Sequence, residues 1–329
     1  MRIKVPARAP AQAHSHPARA ARGAGAAAET AMNAYSRLLL ICDTHQHCSA
    51  AMARAQALAG SAGASLHMLM IDSLAPALNT LDYDLQQRAR NTIQERHQAW
   101  LDDQVELLRG RGIEASAEAV WSDDPLQEVL HRVRERGFDL LIKDIHYETA
   151  VSRALMTPLD WQLLRQCAVP LHLVSHAEHP LPRKVVAALD LSQDDTRVDE
   201  LNERIVESAQ QLALQCDAEL HLLQAYDLSS SFLAYAVGPV AWTSEIQEQM
   251  SGRATERMQR LGERFGIEQK CLHLIKGAAN RVIAEFVDDY RMDVVVMGTL
   301  YHAGLAKIVG STTEQALYRV HSSILAIRP

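Results

Sequence analysis

Three short segments in the second half of the chain combine residue types that suit an anionic ligand. Asp190 ends one apolar run, a second apolar run at Val294–Gly298 ends in glycine, and residues 310–312 read Gly-Ser-Thr before a helical pattern. Ser311 and Glu314 have the spacing of a capping box, which predicts that a helix begins there. The free N–H groups of such a helix start bind phosphate oxygens. These segments therefore predict an anion site, in which Asp190 contacts another part of the same ligand.

The corresponding positions in the first half of the chain have different chemistry. Asp144 stands where Gly298 stands, and Thr157-Pro158 stands where Gly-Ser follows in the second half. Pro158 suits the first turn of a helix, but it has no N–H to offer a ligand. Asp144 and Asp160 also place negative charge in this loop. We therefore expect the first half to be structural, or to serve as a surface for a partner.

Five residues of types that can bind metal ions lie at the end of the first apolar run and just after it: Cys42, Asp43, His45, His47 and Cys48. Imidazole and thiolate groups are ligands for zinc and softer metals. However, Cys42 should face into the layer beside a sheet, and no distant residue stands out as the remaining ligand. The sequence therefore predicts no metal site.

A long apolar segment at residues 229–242 follows the second strand pattern of the second half. It runs from three serines through Phe232 to Trp242, is interrupted by Gly238-Pro239, and lacks the clear periodicity of core material. Two alternatives remain open for it: it covers an apolar cavity or a partner surface, or it packs locally.

No catalytic motif is present. The chain has no G-x-S-x-G elbow, no G-x4-G-K-(S/T) phosphate loop and no H-E-x-x-H pair. Its acidic residues are spread over solvated helix faces. We therefore predict no catalytic residues, and expect that the protein is not an enzyme.

These candidate residues are carried by a pattern that occurs twice. The runs ending in Asp43 and Asp190 match each other, and Ser65–Met70 matches Glu219–Gln224 at a spacing of 154 residues. The same spacing relates residues 138–142 to residues 292–296, and it falls to 153 near the C-terminus. Because the spacing falls by one, the second copy lacks one residue somewhere between Gly298 and Gly310. Continuous apolar runs predict parallel strands that are buried on both faces.

Helical periodicity separates these strands in both copies. Apolar residues recur at spacings of three and four. In the first copy they are Leu126, Val129, Leu130 and Val133. In the second they are Val198, Leu201, Ile205, Ala209 and Leu212, followed by Val282, Ile283, Phe286 and Val287. The alternation predicts an α/β chain with two tandem, doubly wound, five-stranded parallel sheets of Rossmann-like type. Duplication further predicts a pseudo-twofold pair, packed face to face.

Composition divides the chain into a tail and two domains. Residues 1–31 contain 12 alanines, no leucine and no aromatic residue, with five basic residues against one acidic. This segment is predicted to be a disordered extension, in which the pair His14 and His16 does not form a metal site. We expect domains at residues 32–177 and 183–329, joined by a linker with two prolines.

Charge and cysteine content exclude several classes of protein. A net charge of −7 argues against nucleic-acid binding, which needs a basic face. The longest apolar stretch is about a dozen residues, too short to span a bilayer. Five cysteines without a C-x2-C pair argue against a disulfide framework or a zinc ribbon. We expect a cytoplasmic protein, either a monomer with an internal pseudo-dimer or a homodimer.

The strand ending in Asp190, the strand Val294–Gly298 and the loop to residues 310–312 resemble the universal stress protein family. The tandem arrangement and the run at residues 156–165 are similar to the tandem members of that family. The resemblance covers residues 35–329. It implies a Rossmann-like fold with an adenine nucleotide, ATP or AMP, bound in the second domain.

The resemblance also implies which residues contact the nucleotide. Asp190 would meet the ribose or adenine, with Ala225 on the adjacent strand. Met297, Gly298, Gly310, Ser311 and Thr312 would form the phosphate loop. This loop departs from the family pattern G-x2-G-x9-G-(S/T), because Tyr301 occupies the second glycine position and eight residues, not nine, separate it from Gly310. A tyrosine there would fill part of the phosphate volume.

Three functional hypotheses follow. The first is a non-enzymatic stress-response protein, in which an adenine nucleotide changes a surface that a regulatory protein partner recognises. The second is a binding module for an apolar or lipid-like small molecule beneath residues 232–242, with Tyr301 closing the phosphate site. The third is a weak ATPase, which has few cations for phosphoryl transfer beyond Lys307 in the loop.

Overall fold

The fold is described from a computed structural model. It describes residues 34–44, 49–72, 82–145, 159–175, 179–192, 195–226, 244–299, 320 and 322–329. All of these belong to the unit Ala34–Pro329.

Strands and helices alternate along the chain, as the apolar pattern predicts. The first half contains β1 (Arg37–Cys42), α1 (Ala50–Ala62), β2 (Ser65–Asp72), α2 (Tyr83–Gly110), β3 (Ala115–Trp121), α3 (Pro125–Arg136), β4 (Leu140–Asp144), α4 (Leu159–Gln166) and β5 (Leu171–Val174). The second half contains β6 (Lys184–Leu189), α5 (Thr196–Cys216), β7 (Glu219–Tyr226), α6 (Ser244–Phe265), a short 3₁₀ turn (Gln269–Cys271), β8 (Leu272–Lys276), α7 (Ala279–Tyr290), β9 (Val294–Gly298) and β10 (Ser323–Ile327).

The ten strands within the described residues belong to one sheet. Their order is β3-β2-β1-β4-β5-β10-β9-β6-β7-β8, with parallel neighbours inside each half. The halves meet where β5 and β10 pair antiparallel, with Leu325 opposite His172. The predicted face-to-face packing is therefore wrong: the two five-stranded sheets join edge to edge. Joining in this way satisfies the backbone groups that an open edge strand would leave unpaired.

The junction between the halves is also closed by helices. Helices α1 and α5 pack against each other across it. The amide of Gln215 on α5 accepts a hydrogen bond from the Tyr35 N–H and donates one to the Leu58 carbonyl, at 3.1 and 3.0 Å. The halves consequently share one apolar layer, which contains residues from both.

The helix faces predicted from periodicity are the faces that the structure buries. On α5, Leu201, Ile205, Ala209 and Leu212 are buried, and Val198 is half-buried. All four predicted residues of α3 and all four of α7 are buried on the opposite side of the sheet.

The repeat is visible in polar contacts as well. Asp139 accepts hydrogen bonds from Ser36 and Arg37 N–H groups before and at the start of β1, and Asp293 does the same for Arg183 and Lys184 at β6.

Candidate functional site

Four of the predicted ligand-binding residues lie on one side of the sheet, where the strands of the second half have their carboxyl ends. Strand β6 pairs with β7 on one side and β9 on the other, with Leu189 opposite Gln224 and Ala188 opposite Met297. The chain winds to opposite sides of β6, so the carboxyl ends of β6 and β9 border the crevice where ligands bind in open α/β sheets. Asp190, Met297 and Gly298 lie at these carboxyl ends, and Ala225 lies at the carboxyl end of the neighbouring strand β7.

Two buried amides hold the loop that follows β6. The Asn202 side chain accepts from the Asp190 N–H at 3.0 Å and donates to the Asp190 carbonyl at 2.7 Å. Gln224 accepts from the Leu191 N–H at 2.7 Å. Neither amide is among the residues predicted from the sequence. The available signal was a polar residue at a buried position of an otherwise apolar pattern.

The Asp190 carboxylate is held in a fixed direction at the mouth of the crevice. Its Oδ1 accepts hydrogen bonds from the N–H and the hydroxyl of Ser192. On the inner side of this loop, Arg257 of α6 donates to the Leu191 carbonyl at 3.1 Å. A carboxylate oriented in this way suits a ligand that offers hydroxyl donors, such as a sugar ring.

The other two strand-end residues offer mainly their backbones. The Met297 side chain is buried in the apolar layer that contains α7. Ala225 has only a methyl group, which is half-buried, and its carbonyl accepts a hydrogen bond from Gln224. Contact with a ligand at these two positions would therefore use peptide groups.

Gly298 has a packing role that is independent of any ligand. A Cβ at this position would lie 2.7 Å from Leu201 Cδ2 and 3.2 Å from Ile205 Cδ1. In the first half, the repeat places Ala51 where Ile205 stands, so the smaller neighbour leaves room for the Asp144 side chain. The packing of the Leu201 and Ile205 side chains on the end of β9 thus favours glycine.

Gly298→Ala is expected to lower the free energy of unfolding by about 1–3 kcal/mol, because the buried Leu201 and Ile205 side chains must shift to admit the extra methyl group. The matched control is Gly252→Ala in α6, where a Cβ would meet no atom within 4 Å. That change is expected to stabilise the protein by up to about 1 kcal/mol, since alanine favours the helix. Urea unfolding measures both. Equal effects of the two substitutions would contradict the packing role.

The rest of the predicted phosphate loop lies outside the described residues. This applies to Gly310, Ser311 and Thr312, and also to Tyr301 and Lys307. The apolar segment at 232–242 lies outside them too. The apolar-ligand and ATPase hypotheses rest on these segments, and both stay hypotheses.

In the first half, the protein's own charges occupy the equivalent crevice. Asp144 Oδ1 accepts a hydrogen bond from the Ala51 N–H, in the first turn of α1, at 2.9 Å. Lys143 forms a buried ion pair with Asp160, with 2.8 Å between Nζ and Oδ1, and donates to the Asp144 carbonyl. A helix start that already holds a carboxylate repels a second anion. This arrangement supports the expectation that the first half is structural.

The structure describes two residues of the cluster after β1, Cys42 and Asp43. Cys42 is buried, as its place in the strand predicts, and burial together with the nearby Asp144 and Asp43 carboxylates raises the pKa of its thiol. His45, His47 and Cys48 lie outside the described residues. Among the cysteines that the structure does describe, Cys42, Cys167, Cys216 and Cys271 are free thiols. Within the same described ranges, no helix has the length and apolarity needed to cross a membrane.

The family model and the similar sequences identify the same family. A model of the Universal stress protein family matches the chain twice, at residues 34–175 and 182–328. Universal stress protein E of Escherichia coli K12 is 27% identical over 302 residues, which cover 91% of this chain and 95% of that protein. The Photorhabdus laumondii protein of the same name is 29% identical over 300 residues, covering 90% and 95%.

A solved structure also covers nearly the whole chain. A Pseudomonas aeruginosa PAO1 protein of unknown function aligns with a TM-score of 0.71 and 25% identity, over 91% of this chain and 95% of that one. The family model matches both halves of the chain, and the two relatives align over 91% and 90% of it. When the strands of each half are numbered from its start, both halves have the strand order 3-2-1-4-5. This chain is a tandem member of the universal stress protein family.

Proposed function

We propose that the protein acts in a stress response by binding an adenine nucleotide, ATP or AMP, in its second half, and that the bound nucleotide alters a surface which a regulatory protein partner recognises. Family membership is consistent with the stress-response role. The nucleotide part rests on one contrast: at the crevice the second half has Gly298, where the first half has the Asp144 carboxylate bound to a helix start.

Each predicted residue has a defined part in this proposal. Asp190 accepts a ribose hydroxyl, and the backbones of Ala225, Met297 and Gly298 line the crevice. Gly310, Ser311 and Thr312 hold the phosphates, a role that rests on sequence alone. The action is binding, not turnover. The proposal includes domains at 32–177 and 183–329, a cytoplasmic location, and either a monomer with an internal pseudo-dimer or a homodimer.

Isothermal titration of the full chain with ATP and with AMP tests the nucleotide site. We expect saturable binding of at least one nucleotide, weakened roughly 10- to 100-fold by Asp190→Ala, since a hydrogen bond to a charged group contributes about 1.5–3 kcal/mol. The matched control is Asp43→Ala, at the equivalent strand end of the first half, which should leave the affinity unchanged. No heat with either nucleotide on folded protein, or equal weakening by the control, would overturn the proposal.

A further inference from the structure

The opposite edge of the second half carries a cluster of side chains that the sequence analysis did not single out. Glu219 and His221 lie at the amino end of β7, Cys271 ends the 3₁₀ turn before β8, and His273 lies on β8. Glu219 and His221 are two residues apart on one strand, so they point to the same face of the sheet. Since Leu223 is opposite His273 in the parallel register, His273 shares this face.

Three of these side chains bring ligand atoms close together. The ligand atoms of Glu219, His221 and Cys271 all lie within 4.8 Å of one another. His221 Nε2 is 3.5 Å from Glu219 Oε2, and Cys271 Sγ is 3.7 Å from Glu219 Oε1. Ligands of a tetrahedral zinc ion, with bonds of about 2.0–2.3 Å, lie about 3.3–3.8 Å apart. The cluster therefore needs only small side-chain movements to surround such an ion.

His273 holds the His221 ring in place. Its Nε2 is 2.9 Å from His221 Nδ1, which leaves Nε2 of His221 directed toward Glu219 and Cys271. Phe286 and Tyr290 of α7 pack around His273, with ring centroids 4.7 and 5.3 Å away. Metal-binding histidines are characteristically oriented by a hydrogen bond at the other ring nitrogen.

The first half contains the same positions with different chemistry. By strand register, Ser65, His67, Ser116 and Glu118 correspond to Glu219, His221, Cys271 and His273. There, His67 is satisfied by Ser116 and Glu118, at 2.8 and 2.9 Å.

Two arginines of α3 complete the first-half arrangement. Arg132 and Arg136 bind the Glu118 carboxylate at 2.6 and 3.3 Å, and α7 has Phe286 and Tyr290 at the corresponding positions. The first half thus surrounds its histidine with cations, which disfavour a metal ion. In the second half, rings of α7 take the place of those two arginines, while Lys184 and Lys270 act on His221 from other elements. The second half also has a thiol and a second imidazole, and its carboxylate is on the strand of the histidine instead of the neighbouring strand.

Two residues of the cluster, Glu219 and Cys271, line a surface cavity. Buried His221 and Cys271 face the partly exposed Glu219, and this cavity of about 240 Å³ is lined by Glu219, Lys270 and Cys271, among others. Within the described ranges, these three residues form the one group of three or more metal-ligand side chains at such distances.

We propose that Glu219, His221 and Cys271 bind a divalent ion of the zinc class, with His273 positioning His221 and with water from the cavity at the fourth position. Nitrogen, sulfur and oxygen donors in a tetrahedral set suit Zn²⁺ or Co²⁺ better than Mg²⁺ or Ca²⁺. The site lies at the amino ends of the strands, so it is separate from the crevice beside Asp190.

Titration of the chelator-treated full chain with Co²⁺ tests the site, because a cobalt–thiolate bond gives an intense charge-transfer absorption. We expect one equivalent of Co²⁺ to bind with this absorption, and Zn²⁺ to displace it. Cys271→Ser should abolish the absorption, and Glu219→Gln and His273→Gln should each weaken binding, the latter about 10- to 100-fold.

Two substitutions serve as controls. Ser116→Ala changes the position in the first half that corresponds to Cys271, and Cys216→Ser removes a thiol of α5; neither should alter the titration. Circular dichroism confirms that each variant folds, and Glu219→Gln is at a partly exposed residue that the fold tolerates. Binding without a thiolate absorption, an absorption that survives Cys271→Ser or disappears with Cys216→Ser, or no saturable binding would overturn the proposal.

Discussion

Asp160→Leu is expected to lower the free energy of unfolding by about 3–5 kcal/mol, because it removes the Asp160 carboxylate that is paired with the buried Lys143 ammonium group. Lys143 and Asp160 are 7% and 8% exposed, and their charged atoms are 2.8 Å apart. In the second half, the repeat places Met297 at the position of Lys143. Urea unfolding at neutral pH measures the loss.

The double variant Lys143→Met, Asp160→Leu separates the ion pair from simple packing. Apolar replacement of both partners of a buried pair is often neutral, so we expect this variant to recover most of the lost stability. The control Glu285→Ala breaks the exposed Arg281–Glu285 pair and should change little. If the double variant is as unstable as Asp160→Leu alone, the buried charge is not the cause.

The second large effect is a loss of stability in acid that comes from the junction between the halves. His172 lies on β5 opposite Leu325 of β10 and is fully buried. Burial and the nearby Arg54 cation lower its pKa to about 3. The unfolded chain takes up a proton on this side chain below about pH 6.5, whereas the folded chain does not until near pH 3. The free energy of unfolding therefore falls as the pH decreases between these values, by roughly 1 kcal/mol per pH unit.

Unfolding in urea at about pH 7 and about pH 4.5 checks this sign. Wild-type protein should lose roughly 2–3 kcal/mol more than His172→Leu over that interval, because leucine has no proton to gain. The control His131→Gln, at an exposed histidine of α3, should keep the wild-type slope. Parallel slopes for wild type and His172→Leu would assign the acid sensitivity to other groups.

The two halves differ at both the carboxyl and the amino ends of their strands, and the difference is of the same kind at each. At the carboxyl edge, the first half contains Asp144 and a buried ion pair, whereas the second half has Gly298. At the amino edge, the first half surrounds His67 with Glu118 and two arginines, whereas the second half has ligand-type side chains with rings behind them. In both places the first half pairs charged side chains with each other or with a helix start, and the second half has groups suited to a ligand.

Local patterns in the sequence were sufficient to predict the helices and strands. The helix faces around Leu201, Val129 and Ile283 could be predicted because a period of 3.6 residues is a property of neighbouring residues. The strands could be predicted because parallel strands with both faces covered are continuously apolar. Asp190 and Gly298 could be placed at the same edge because strand ends in such a sheet point to the same side.

The sequence by itself therefore determined the duplicated α/β unit, its strands and helices, and the edge at which Asp190 lies. Only the tertiary structure decided how the halves join, since the pairing of β5 with β10 depends on which edge strands are left open. It also decided that the Leu201 and Ile205 side chains crowd Gly298, and that Glu219 and His221 meet Cys271 and His273. These contacts join residues about 50 to 150 positions apart, and the strand register and helix packing that create them leave no periodic trace in the sequence.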